Sequence, residues 1–284
     1  MAWGRNRARP SATYHPGMAS HVSSHGSLTD VGRATLTWFA GWWRIIHFGA
    51  LIFVLALSPS SYAGPNRSAL ARHVYQDTAP ILFWFIVLSS LISLVIIRIV
   101  VVTAVSYGLS QYALEMVVRV LVLELIPLTA AVFVALGCAL PNAEEIAVMR
   151  TRGEFDALAQ QGADPLRREV LPRVASAMFS VVMLAAVSCV VTAVLAYVSI
   201  YGLTLGAFAG YTRTFGQVFN PAVSMIFALK VFFFGLAVAL IPIASVLYDR
   251  SRGRMRMSVE LQSLIRLFLA LLLVEVASLV GNYY

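Results

Sequence analysis

Apolar residues in this chain come in unbroken runs rather than in alternation or on one helical stripe. Four runs are long enough to cross a bilayer, at roughly 79–103, 116–140, 174–200 and 222–247. A fifth, 261–281, carries Arg266 and Glu275 and still has the length. A spanning helix needs about 20 apolar residues, and runs without alternation predict helices rather than a barrel. The expected fold class is an all-α integral membrane protein with five transmembrane helices. An N-terminal interfacial amphipathic helix and a short charged helix on the cytoplasmic side complete it.

The stretch 34–57 reads ATLTWFAGWWRIIHFGALIFVLAL and stops at Ser58-Pro59. Trp38, Trp42, Trp43, Arg44 and His47 are residues of the membrane surface, so a helix lying at the interface is favoured over a span. Between the second and third runs lies a charged island, Asn142 to Val174. Asn142 with Glu145 three residues on has the spacing of a capping box, and Gly162 is a stop signal. Asp164-Pro165 is an N-cap followed by proline at the first helical position. The island thus predicts helix, turn, a restart at Asp164-Pro165 and entry into the third span near Pro172. By spacing alone it is either a solvated loop held on the cytoplasmic side by its arginines or a surface for a partner. Ser106 to Ala113 is a short connection, and the glycine-bearing 201–221 has room for a short surface helix.

Composition agrees with this class: 12% of residues are charged and the mean hydropathy is +0.81, against about 25% charged in soluble domains. The net charge of +8 is distributed by topology and is no nucleic-acid signal. With five spans and a cytoplasmic N-terminus, the inner segments hold sixteen Lys/Arg and the outer ones hold Arg213 alone, the asymmetry that the positive-inside rule demands. Residues 1–27 have no apolar core of a signal peptide and are expected to form a disordered basic tail. The domain boundaries follow as 1–27, an interfacial helix 28–57, and a transmembrane domain 58–284 with the charged segment 142–173. Cys138 and Cys189 show no ligand or redox spacing and are expected to be buried hydrophobes.

Several ionisable residues fall inside the runs. Arg98, Glu124, Lys230 and Glu275 are placed about 8–12 Å below the outer surface at 1.5 Å per residue, with Arg119 shallower. Charges at such depth face a bundle interior or cavity and pair. The arginines either snorkel outward or join Glu124, Lys230 and Glu275 around a polar pocket that receives a lipid phosphate. Within that cluster, loss of Glu124 is expected to do more harm than loss of Lys230, because it leaves nearby cations unpaired.

The charged island also carries a pattern: Glu144-Glu145-Ile146-Ala147-Val148-Met149, then Glu154-Phe155-Asp156-Ala157-Leu158, Ala163-Asp164-Pro165-Leu166-Arg167 and Pro172-Arg173. Leu123-Glu124-Leu125-Ile126-Pro127 in the second run and Leu229-Lys230 to Gly235 in the fourth extend it. Together these resemble the MlaE-type permeases, membrane subunits of MCE-associated lipid-transporting ABC systems, over roughly 65–281. The chain departs from the pattern at Leu123 and Ile126, where the family has Arg and Gly. A basic Asp249–Arg256 loop also replaces a glycine-rich one.

The resemblance implies a permease subunit that moves phospholipid or a related lipid between the inner membrane and an outer MCE-type carrier. It implies a homodimer, an ABC ATPase, an MCE-domain substrate-binding protein and a STAS-domain subunit as partners, besides membrane lipids. Glu144, Glu145, Met149, Arg150, Glu154, Asp156 and Leu158 would form the ATPase-coupling surface. The lipid-binding cluster would be Arg98, Arg119, Glu124, Lys230 and Glu275. There is no phosphate-binding G-x-x-x-x-G-K-[ST], so ATP hydrolysis is expected in a separate chain. No cofactor, metal or catalytic residue is expected. The alternative is an ion-coupled secondary transporter using Glu124, Lys230 and Glu275, although no internal repeat of the usual kind is visible.

Overall fold

The computed structural model describes residues 26–58, 65–109, 112–248 and 256–283. The expected tail lies outside them apart from its last two residues, as does the basic loop before Arg256. The chain forms two units, Met1–Trp42 and Trp43–Tyr284. In the first, the described part is the start of helix α1 (Gly26–Leu57).

The second unit contains the rest of α1 and the helices α2 (Pro65–Ser106), α3 (Ala113–Thr151), α4 (Glu154–Gln160), α5 (Leu166–Tyr201), α6 (Phe208–Val218), α7 (Pro221–Tyr248) and α8 (Arg256–Tyr283). No strand occurs among the described residues. Among the described residues, six helices are long and apolar enough to cross a membrane. Five contain the five predicted runs; the sixth, Phe39–Leu57, is the least apolar and is the segment expected at the interface. Within the second unit its Ile45, Phe48 and Ile52 form a buried stripe, and Phe48 meets the ring of Tyr248 edge-on at 6.0 Å. Gly49 permits close approach here, since a Cβ would lie 3.0 Å from Leu240 Cδ1. The opposite side exposes Trp43, Arg44, Ile46, His47 and Phe53.

Paired contacts fix the helix directions. Thr78 bonds Ser180 at 2.7 Å and Ser93 bonds Thr192 at 2.9 Å, so α2 and α5 run parallel. Lys230 meets Glu124 while Arg150 meets Val246, so α3 and α7 also run parallel. Val122 faces Cys189 and Glu145 faces Arg173, which makes α3 and α5 antiparallel. Lys230 with Glu275, and Ile226 beside Gly281, set α7 against α8 in the same way. One end of the array therefore carries the 152–165 connection and the other the 202–220 connection.

Prolines shape the helices. Pro127, Pro141 and Pro172 each follow, by two residues, a π-helical turn: Val118–Leu125, Ala135–Ala139 and Leu166–Val170. A helical proline has no N–H and its ring crowds the carbonyl four residues back. A wider turn directs the nearby carbonyls to donors five residues on and relieves that clash.

This changes the start of the charged island. Asn142 is not an N-cap: α3 runs through it without interruption, and Asn142 is buried inside the helix. The π turn lets the apolar run pass Pro141, so the capping box has no helix start to cap. The break comes instead at Gly153, with φ of +72°. The later signals hold. Gly162, at φ +76°, ends α4, with the Ala163 N–H bonded to the Leu158 carbonyl at 3.1 Å. The Asp164 carboxylate then caps the Leu166 N–H at 3.0 Å. The expected surface helix in 201–221 is α6.

Candidate functional site

Three charged side chains from three helices meet in the interior. Lys230 of α7 is 2% exposed. Its Nζ contacts Glu124 Oε2 of α3 and lies 2.9 Å from Glu275 Oε2 of α8. The Glu275 contact is an ion pair by distance only, because that oxygen lies off the hydrogen-bond direction. A further donation goes to the Leu123 carbonyl at 3.2 Å. That carbonyl is the one four residues before Pro127, which has no N–H to offer it. Pro127 cannot donate to that acceptor, and the ammonium does. Phe234, one turn on, presents its ring 5.8 Å from Nζ. Two carboxylates share one ammonium, so the group carries an excess of negative charge unless one carboxyl is protonated. Glu124 Oε1 is buried without a hydrogen-bond partner.

The sequence expectation of Glu124, Lys230 and Glu275 in one layer agrees with this geometry. The two arginines do not join them. Arg119 Nε pairs with Glu115 Oε1 one turn earlier, at 3.0 Å. Arg98 is exposed and makes no hydrogen bond or ion pair among the described residues. The buried stripe of α2 is Phe85, Ser89, Ser93, Ile97 and Ala104. Arg98 follows Ile97 by one residue, about 100° around the helix, and so leaves that face.

A polar-lined pocket was expected beside the cluster; the cavities described are apolar. An open cleft of about 600 Å³ is lined by Val122 of α3, Cys189 and Tyr197 of α5, Phe208, Tyr211 and Phe215 of α6, and Phe227 of α7. The Tyr211 hydroxyl turns away to donate to the Ala193 carbonyl at 2.8 Å. Burial, with Tyr201 adding, pushes its phenol up to about 12, so it stays a donor. A second space, about 290 Å³, lies between α2 and α3 and includes Leu121, Leu125 and Ile126. Glu124, Lys230 and Glu275 line neither. The charges are held by packing, and the hollow spaces flank them on α3.

At the other end of α3 the charged segment divides into engaged and free residues. Glu145 accepts from Arg173 Nη2 at 3.3 Å, and Arg173 Nη1 bonds Glu169 Oε2 at 2.8 Å. Arg150 Nη1 donates to the carbonyls of Val246 at 3.0 Å and Leu247 at 2.6 Å, the last turn of α7. Glu154 lies 3.8 Å from Arg152. Glu145 and Arg150, both expected to face a partner, are therefore bound to their own chain. Glu144 and Asp156 are exposed with no ion pair among the described residues, and Met149 and Leu158 are half-buried.

One polar cluster was not anticipated. Asp77 Oδ2 accepts from Asn142 Nδ2 at 3.1 Å and from Ser176 Oγ at 2.6 Å, joining α2, α3 and α5. Asp77 lies just before the apolar run that begins at residue 79, outside the charges that depth within a run singles out. A signal existed: Ser176, Ser180, Ser188 and Thr192 recur at intervals of four and eight, a small polar stripe along one face of α5. All four are buried.

Comparison with curated proteins gives no match. The family of permease MlaE matches residues 70–280, from the start of α2 almost to the end of α8, and so includes both the charged interior cluster and the 142–173 segment. With its long apolar helices, the chain is a multi-pass membrane protein of the MlaE permease family, whose members are non-catalytic membrane subunits of lipid-transporting ABC systems.

Proposed function

We propose that this permease moves phospholipid or a closely related lipid between the cytoplasmic (inner) membrane and an MCE-type carrier on the outer side. It works as a homodimer, driven by an ABC ATPase docked on the 142–162 segment, with a STAS-domain subunit as a further cytoplasmic partner. The observation that carries this reading is α3. Its 39 residues extend about 58 Å at 1.5 Å per residue, roughly twice the hydrocarbon thickness of a bilayer. The surplus lies at the end that carries Glu144 and leads into α4, where a charged helical surface stands in water. The Arg98, Arg119, Glu124, Lys230 and Glu275 assignment narrows to Glu124, Lys230 and Glu275 as the polar centre. The apolar cavities on either side of α3 suit acyl chains.

The N-terminus is cytoplasmic in this proposal, α1 lies at the inner interface, and five helices span. Exposed Trp43, Arg44 and His47 suit the headgroup layer. Charge reversal tests the docking surface. Glu144→Lys with Asp156→Lys should lose the ATPase on co-purification while the permease still accumulates in the membrane. Undiminished co-purification would remove the coupling role of this surface. The second reading, an ion-coupled transporter, is favoured by one observation, the shared lysine between two carboxylates.

A further inference from the structure

We infer that Arg150 is a positioning residue that ties the ATPase-facing segment to the helix carrying Lys230, so that movement of that segment is transmitted along α7; this rests on the permease reading above. Its side chain crosses between two helices. The guanidinium Nη1 donates to both Val246 O and Leu247 O, and no carboxylate pairs with it among the described residues. An arginine can serve both carbonyls from one fixed planar group.

Just before these acceptors α7 has weaker internal support than an ordinary helix. Pro242 lies one turn before Val246 and offers no N–H to the Val238 carbonyl. Ser245 directs its hydroxyl to the Ile241 carbonyl at 2.8 Å rather than outward. At its other end, Arg150 stands three residues before the left-handed Gly153, where the chain turns into α4. A tilt of α4 against a moving partner reaches Arg150 first. From Val246 to Lys230 is sixteen residues of one helix, about 24 Å. The Glu145–Arg173–Glu169 contacts hold the same segment to α5. The segment is therefore anchored to two helices, and the Arg150 anchor is on the helix that carries the buried lysine.

The test uses the whole complex of permease and ATPase in proteoliposomes, with ATP hydrolysed and fluorescent phospholipid moved measured together. Arg150→Ala should keep the ATPase on co-purification and lower lipid moved per ATP at least tenfold. Arg150→Lys should recover a third or more of that ratio, because an ammonium can reach the same carbonyls. Should Arg150→Ala not accumulate, Arg150→Gln against Arg150→Lys carries the comparison, with the charged variant expected to transport several-fold more lipid per ATP. Loss of ATPase co-purification in Arg150→Ala would make Arg150 a docking residue and overturn the inference. An unchanged ratio of lipid to ATP, in a system where the wild type transports, would overturn it alone. A wild-type complex that hydrolyses ATP without moving lipid would overturn the permease reading and this inference with it.

Discussion

Replacing Lys230 by methionine, which keeps the length of the side chain and removes its charge, should destabilise the protein more than neutralising either carboxylate. Lys230 is 2% exposed and is the cation that both Glu124 and Glu275 contact. Without it, two buried carboxylates face each other and the Leu123 carbonyl loses its donor. Breaking a buried pair from one side costs about 3–5 kcal/mol. Glu124→Gln, by contrast, leaves a balanced Lys230–Glu275 pair, and its loss is that of one charge-assisted hydrogen bond, about 1.5–3 kcal/mol. The triple variant Glu124→Gln, Lys230→Met and Glu275→Gln should recover most of the loss of Lys230→Met, since no uncompensated charge remains. This ordering reverses the expectation drawn from sequence, which ranked Glu124 above Lys230. The reason is Glu275: with two carboxylates and one ammonium, the lysine is the member that cannot be spared. Unfolding in mixed micelles, followed by loss of helical circular dichroism, measures the three differences. If Glu124→Gln proves at least as destabilising as Lys230→Met, the shared-lysine account is wrong.

Other consequences can be checked more simply. Asn142→Ala should lower stability by about 1–3 kcal/mol, because the half-buried Asp77 carboxylate loses its amide donor and keeps only the Ser176 hydroxyl; the same unfolding measurement reads it, and a change under about 0.5 kcal/mol would mean that water replaces the amide. A topology reporter fused after Tyr284 should behave as periplasmic with five spans; cytoplasmic behaviour would show that α1 also crosses, or that the orientation is reversed.

The long helices were readable because a bilayer demands uninterrupted apolar length, and the five runs all fall inside helices. Their ends were not. α3 continues past Pro141 because a π turn relieves the proline, and nothing in the periodicity distinguishes that from a helix end. Gly162 and Asp164-Pro165 were legible because their signals are local and depend on backbone conformation alone. Glu124, Lys230 and Glu275 could be grouped by depth, since buried charges need partners. Depth carries no information on rotation about a helix axis, and this is why Arg98 was grouped with them and lies outside. Arg150 shows the same limit: a basic residue in a charged segment gives no sign that its acceptors are main-chain carbonyls 96 residues away.

The central claim is that lipid movement through this chain is driven by ATP hydrolysis in a partner. Proteoliposomes containing the permease–ATPase complex, loaded with fluorescent phospholipid and supplied with either ATP or an imposed proton gradient, test it most directly. Lipid transfer should require ATP, stop with a non-hydrolysable analogue, and be unaffected by the gradient. Transfer driven by the gradient without ATP would contradict the account and leave Glu124, Lys230 and Glu275 as an ion-coupling site.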